Sequence, residues 1–95
     1  MKKTFKMSHP KIKVPRLFEA VKYDVRRYVK RERRRELPAG ADFWDFDCKF
    51  GPTEEEAKVV HLAEITKCID AAEKQKLDSI YIEILAKSAV RTKKT

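Results

Sequence analysis

One ten-residue stretch, residues 42–51 (DFWDFDCKFG), constrains the fold of this chain more than any other. Apolar side chains occupy every second position, at Trp44, Phe46, Cys48 and Phe50, and most positions between them are charged. Successive side chains of a strand point to opposite faces, so this alternation predicts a strand that is buried on one side. The stretch holds the only tryptophan and three of the five phenylalanines, and aromatic side chains bury the most area per residue. We therefore predict that it is the central strand.

Two further segments alternate, and one follows a helical period. Residues 2–7 predict a short strand, and residues 80–84 (IYIEI) show the clearest alternation in the chain. From Arg16 to about Arg35 the pattern predicts an amphipathic helix, with Pro15 in its first turn, where the missing N–H is not needed. The apolar stripe of this helix consists of Leu17, Phe18, Val21, Val25, Tyr28 and Val29.

Residues 57–77 allow two interpretations. Thr53 and Glu56 fit a capping box, which is compatible with one long helix after Ala57. The alternative is a strand at residues 57–64 followed by a shorter helix that begins near Thr66. We favour the strand, because the segment is rich in β-branched residues and threonine is a good N-cap.

The predicted order is β-α-β-β-α-β, the ferredoxin-like split βαβ arrangement of the α+β class. It has a four-stranded antiparallel sheet with both helices on one face. In the usual form of this fold, the segments flanking Gly51 pair as a hairpin on one side, and the first and last strands pair on the other. A chain of 95 residues is long enough for one core and too short for two. We expect a single domain over residues 1–95, with a short basic tail from about residue 88.

The net charge of +8 is distributed unevenly along the chain. Residues 1–36 carry 14 Lys and Arg against 4 Asp and Glu, whereas residues 37–87 carry 6 against 11, and residues 88–95 add three cations. A strongly basic segment of this kind favours a polyanionic partner.

The sequence predicts a cytoplasmic protein. The first residues (MKKTFKMSHPK) lack the apolar core of a secretory signal, and no run approaches the roughly 20 apolar residues that a membrane span needs. We therefore expect no membrane partner, and we expect the two cysteines, Cys48 and Cys68, to remain reduced rather than to form a disulfide.

Three segments carry a resemblance to a known family: FWDFDCKFG at residues 43–51, HLAEITKCIDAA at residues 61–72, and the opening MKKTFK. In these segments the chain resembles a family of small bacterial cytoplasmic proteins of unknown function. The resemblance extends over nearly the whole chain. It implies a bacterial cytoplasmic single domain and supplies no activity and no site residues.

A stripe of cations on the first helix is the main candidate site. Its members lie about one turn apart, so several of them can meet successive phosphates of a nucleic acid. We predict non-enzymatic nucleic-acid binding, with RNA favoured, and the alternatives are an acidic protein partner or a merely solvated face. The stripe consists of Lys22, Arg26, Lys30, Arg33 and Arg34, supported by Lys11, Lys13 and Arg16 and by Arg91, Lys93 and Lys94 in the tail.

Asp45, Asp47 and His61 form the one cluster with possible chemistry. Side chains on paired strands come within about 5 Å, close enough to share a divalent metal or a proton. We favour a cross-strand ion pair as the explanation of these residues, and we predict no metal site. No motif for a cofactor is present. Neither cysteine has a histidine at a spacing that would activate it as a nucleophile. The sequence leaves the oligomeric state open.

The open face of the predicted sheet is a poor surface for RNA. Asp45, Asp47 and Glu83 would lie on it and repel phosphates. Only Phe43 and Tyr81 would be available to stack on bases.

Overall fold

A computed structural model describes residues 1–91, and it contains the six elements that the sequence predicts. The strands and helices follow the βαββαβ order, with a single 3₁₀ turn before the second helix. Their bounds are β1 (Lys2–Lys6), α1 (Val14–Arg33), β2 (Phe43–Gly51), β3 (Lys58–Val60), the 3₁₀ turn (Leu62–Glu64), α2 (Ile65–Lys74) and β4 (Ser79–Ala89).

The four strands form one antiparallel sheet in the order β1-β4-β2-β3. Strands β1 and β2 are therefore parallel with β4 between them, and β3 and β4 are parallel with β2 between them, so each helix closes a split βαβ unit. The α+β class and both predicted pairings, β2 with β3 and β1 with β4, are confirmed. Strand β2 is central, as predicted. The middle strands are β4 and β2, whereas the usual ferredoxin-like order places β1 and β3 there.

Both helices pack on one face of the sheet, because their buried stripes belong to the same cluster as the inward positions of the strands. On β4, Ile80, Ile82 and Ile84 are fully buried. Burying one such side chain stabilises the fold by about 1.5–3 kcal/mol, so this strand largely fixes which face the helices cover. The helix residues of the cluster are Phe18, Val21, Val25 and Val29 on α1, and Ile65, Ile69 and Ala72 on α2.

Helix α1 begins two residues before the predicted start, with Pro15 in its first turn as expected. Lys13 precedes it without a side-chain cap. Three cations, Lys30, Arg31 and Arg33, occupy the last turn, where the helix dipole favours positive charge. The helix ends at Arg33, and residues 34–42 connect it to β2.

The segment after β2 resolves in favour of the strand, although the strand is shorter than predicted. Strand β3 ends at Val60 because His61 starts a 3₁₀ turn, in which its Nδ1 accepts the N–H of Ala63 at 3.1 Å. The prediction that Thr66 caps the second helix is wrong, since that residue lies inside α2. The hydroxyl of Thr53 accepts the N–H of Glu56 at 3.2 Å, but this bond closes a turn and does not start a helix.

Strand β4 is longer than its clearest sequence signal. It continues to Ala89 because its second half pairs with β2, where Ser88 lies opposite Trp44. The predicted tail from about residue 88 therefore starts within the strand. Arg91 donates its backbone N–H to the carboxylate of Asp42 at 2.9 Å. Lys93 and Lys94 lie outside the described residues.

Candidate nucleic-acid interface

A groove runs between the second half of α1 and residues 61–66, which comprise the 3₁₀ turn and the first residues of α2, with a volume of about 660 Å³. We call it the basic groove. None of its lining residues within the described chain is an aspartate or a glutamate. Arg26, Lys30, Arg33 and Arg34 form the α1 bank, His61, Ala63 and Thr66 form the other bank, and Val25, Val29, Leu62 and Ile65 form the floor.

The helical period places these four cations together. Positions 26, 30, 33 and 34 are spaced by four, three and one, so they lie beside the buried stripe and extend over about 12 Å of helix axis. All four are exposed. Within residues 1–91 none of them forms an ion pair. Four of the five predicted stripe residues therefore meet at one surface with their charges uncompensated.

Lys22, the fifth predicted residue, has a different role. Its ammonium lies 2.6 Å from a carboxylate oxygen of Asp70 on α2 and 3.2 Å from one of Glu19, and its side chain is only 14% exposed. The hydrogen bond to Asp70 raises the pKa of Lys22, and burial partly opposes this. Lys22 therefore joins the two helices and does not line the basic groove.

The supporting cations lie elsewhere. Lys11 and Lys13 belong to the loop before α1, and Arg16 lies in its first turn. At a rise of 1.5 Å per residue, Arg16 is about 15 Å along the axis from Arg26. The structure does not bring these residues into the groove.

Four of the six arginines between residues 26 and 35 lie over aromatic rings, a feature that the sequence analysis missed. Two partners, at spacings of four and three on the same helix, were readable from the sequence. The other two, on β2, depend on the fold. The pairs are Arg27 with Tyr23 (5.5 Å from the guanidinium carbon to the ring centre), Arg31 with Tyr28 (5.6 Å), Arg33 with Phe46 (5.6 Å) and Arg35 with Trp44 (5.5 Å).

A second depression lies beside β2, with a volume of about 620 Å³. It exists because β3 pairs only with residues 48–50 of β2, so no strand of the described residues lies beside residues 43–47 on that side. We call it the aromatic hollow. It shares Arg33, His61 and Leu62 with the basic groove. Its other lining residues include Phe43, Trp44, Phe46 and Val60, with Asp45 and Asp47.

Asp45, Asp47 and His61 each have a separate partner. Asp45 accepts the N–H of Phe46 at 2.9 Å, and Asp47 forms an ion pair of 2.9 Å with Lys87 on β4. The Nδ1 of His61 is engaged by the 3₁₀ turn. Within residues 1–91 no trio of His, Cys, Asp or Glu side chains is arranged to hold a metal ion.

The open face of the sheet offers less to a base than its sequence suggests. Tyr81 is only 3% exposed, and its hydroxyl donates to Glu83 at 2.8 Å. Burial, reinforced by that carboxylate, raises the pKa of Tyr81 to about 12. Opposite Tyr81 lies Gly51, where an added Cβ would be 2.7 Å from the backbone of Ala57, so the loop after β2 closes over this end of the face.

Both cysteines are free thiols. Burial raises the pKa of Cys48 to about 11, with a further contribution from Asp47. Burial also raises the pKa of Cys68. Raised pKa values keep both sulfurs protonated near neutral pH, which is unfavourable for a nucleophile or a metal ligand. No helix within the described residues is long and apolar enough to span a membrane.

Comparison with protein families gives one match: the model of a family of unknown function, DUF6172, covers residues 1–95. No curated protein and no solved structure matches the chain. The predicted membership in a family of unknown function is therefore confirmed. The bacterial origin and the cytoplasmic location remain predictions.

Proposed function

The chain belongs to DUF6172, a family of unknown function, and we propose that it binds nucleic acid, with RNA favoured, along the basic groove. The role is that of a small non-enzymatic binding protein. The backbone phosphates of the ligand contact Arg26, Lys30, Arg33 and Arg34, and no cofactor takes part.

One observation supports this proposal above the others: four exposed cations line one groove in which no described residue supplies a carboxylate. Like charges one turn apart on a helix repel each other and destabilise it slightly. A phosphate backbone relieves that repulsion and releases its own counterions, so binding is favourable and salt-dependent. With four phosphates of a single strand neutralised, the logarithm of the affinity should fall against the logarithm of salt with a slope of about −3.

The composition of α1 favours RNA over a specific DNA site. Residues 14–33 contain no Asn, Gln, Ser or Thr. Asn and Gln are the side chains that read adenine in the major groove, and Ser and Thr also contact base edges there. Contacts from α1 therefore go mainly to phosphates, which position a ligand without reading its sequence. The protein should select little among sequences.

The direct test is to reverse charge in the groove. R26E/R33E/R34E should lower the affinity for RNA at low salt by at least about a hundredfold, because it replaces three attractive charges with repulsive ones. The matched control is K6E/K58E/K74E, which makes the same change in net charge at exposed positions on β1, β3 and α2. The control should lower the affinity for RNA far less than the groove variant does. Fluorescence anisotropy with a labelled RNA measures both, and circular dichroism checks that each variant folds.

An acidic protein partner is the outcome that would replace this proposal. If the groove variant folds and its affinity for RNA and DNA equals that of the wild type, nucleic acid is not the ligand. Purification of the wild-type protein from its native cytoplasm, with and without nuclease, then separates the two partners. Nuclease should remove the bound material if that material is RNA, and it should leave an acidic protein in place.

A further inference from the structure

We infer, on the premise of the proposed function, that the nucleic-acid ligand is single-stranded and that one of its unpaired bases enters the aromatic hollow against Arg33 and Trp44. The phosphates on either side of that base lie along the basic groove. The inference adds a class of substrate and a base-binding site to the proposed function.

The basic groove and the aromatic hollow are continuous. Arg33, His61 and Leu62 line both the basic groove and the aromatic hollow. A strand whose phosphates follow α1 therefore passes the entrance of the hollow. Asp45, which forms no ion pair within residues 1–91, also lines the hollow and repels phosphates, so it favours entry of a base over entry of the backbone.

Two arginines at this junction are held over aromatic rings of β2. The Arg33 guanidinium lies over the ring of Phe46, and that of Arg35 lies over the ring of Trp44. The indole N–H of Trp44 also donates to the backbone carbonyl of Arg35 at 2.9 Å, which fixes the orientation of the ring. A guanidinium held over a ring loses less rotamer entropy when a base stacks on its outer side.

A single strand offers unpaired bases to the hollow, and a duplex does not. Proteins that read RNA by its bases mostly take unpaired bases and stack them on aromatic rings or on arginine planes. In a duplex the bases are stacked on each other and are not available to the hollow. A duplex therefore gains only the phosphate contacts of the groove, and a single strand gains these together with the stacked base.

Trp44 provides a direct readout, because it is the only tryptophan in the chain. A single-stranded RNA of about 12 nucleotides, long enough for one binding surface, should change the intrinsic fluorescence with saturation. The same strand annealed to its complement should change it much less. Heparin, a polyanion without bases, should bind and leave the fluorescence nearly unaltered. An equal change with heparin would overturn the inference, since phosphate-like contacts alone would then explain it.

Paired Arg→Lys variants separate stacking from charge. R33K/R35K alters the two arginines held over β2 rings, while R26K/R34K alters two groove arginines that lie over no ring of residues 1–91. All four changes keep the charge. Loss of one stacked base corresponds to about a tenfold loss of affinity or more, so R33K/R35K should bind single-stranded RNA about tenfold more weakly. R26K/R34K should lose less than about threefold, and heparin should bind both equally.

The outcomes separate this inference from the proposed function. If single-stranded RNA does not bind the wild-type protein at low salt, both are wrong. If RNA binds, but the duplex binds as tightly and the two Lys variants lose affinity equally, the basic groove remains the site and only the base-binding hollow is wrong.

Discussion

The outer side of α1 and the open face of the sheet are both rich in charge, yet the charges are arranged differently. Arg26 and Lys30 on α1 and Arg34 at its C-cap have no carboxylate partner within residues 1–91. On the sheet, charges of opposite sign lie on neighbouring strands, and Lys87 on β4 forms a diagonal ion pair of 2.9 Å with Asp47 on β2. The two surfaces therefore differ in how many of their charges are free to meet a ligand.

This contrast shows that the pairing of charges decides which surface can attract a polyanion. Antiparallel register places Lys49 opposite Glu83 and Asp45 opposite Lys87, so the field of the sheet face cancels over short distances. Along the helix, neighbours at three and four residues carry the same sign, so their fields add. Lys22 belongs to the helix stripe by its position in the sequence, but its charge is paired with carboxylates, as charges on the sheet are.

The largest effect is expected from reversing Lys22 and comparing it with Arg26, one turn away. K22E places a third carboxylate beside Asp70 and Glu19, and it should lower the free energy of unfolding by about 1–2 kcal/mol. R26E, at an exposed position, should change it by less than about 0.5 kcal/mol. Urea unfolding measures both. Equal losses of stability would show that the basic groove is also held by an ion pair.

The two variants should rank in the opposite order for binding. R26E removes a phosphate contact, so it should weaken RNA binding clearly, whereas K22E should weaken it only through the net charge of the protein. Anisotropy at two salt concentrations distinguishes these cases. If K22E impairs binding as much as R26E, Lys22 must leave Asp70 to contact the ligand.

Alkaline pH should lower the stability of the fold through two groups on the strands, Tyr81 and Cys48. The pKa of Tyr81 is raised from 10.0 to about 12, and that of Cys48 from 9.0 to about 11. The folded protein holds these protons more tightly than the unfolded chain does. The stability that they contribute is therefore complete below the ordinary pKa values of the unfolded chain, and it is lost as pH rises through the raised pKa values of the folded protein. Urea midpoints measured from about pH 8 to 12 should decline.

Y81F is the matched variant for this pH effect. It removes the titrating hydroxyl, so its urea midpoint should decline less steeply than that of the wild type between about pH 10 and 12. It also loses the hydrogen bond that the Tyr81 hydroxyl donates to Glu83, so its stability is lower than that of the wild type below about pH 10, and the difference shrinks as pH rises toward 12. Parallel curves for the two proteins would contradict the assignment to Tyr81.

The smallest effect is expected from D47N. The ion pair between Asp47 and Lys87 is exposed, with side chains 64% and 50% accessible, so its loss should cost less than about 0.5 kcal/mol. The variant should not bind RNA more weakly, since it removes a negative charge. Mn²⁺ or Zn²⁺ at equal concentration should leave the NMR resonances of Asp45, Asp47 and His61 unaltered, and a selective shift that D47N abolishes would revive the metal hypothesis.

Much of the fold was predictable because it follows from local periodicity. Alternation at residues 42–51 and 80–84 gave two strands with the correct inward faces, and the spacing of Val21, Val25 and Val29 gave the long helix. The ends of the last two strands were predicted less well. Strand β3 stops early since the His61 turn competes with the ladder, and β4 extends to Ala89 since pairing with β2 continues beyond the isoleucine run.

The sequence by itself determined the two faces of α1, because helical spacing alone separates Arg26, Lys30, Arg33 and Arg34 from the buried valines. Only the tertiary structure decided what each cation faces. Lys22 meets Asp70, which lies 48 positions away in the chain. Arg33 meets a ring of β2, and the opposite bank of the groove comes from residues 61–66. A local pattern specifies which side chains share a face, and contacts across the fold specify their partners, because those depend on how separate elements pack.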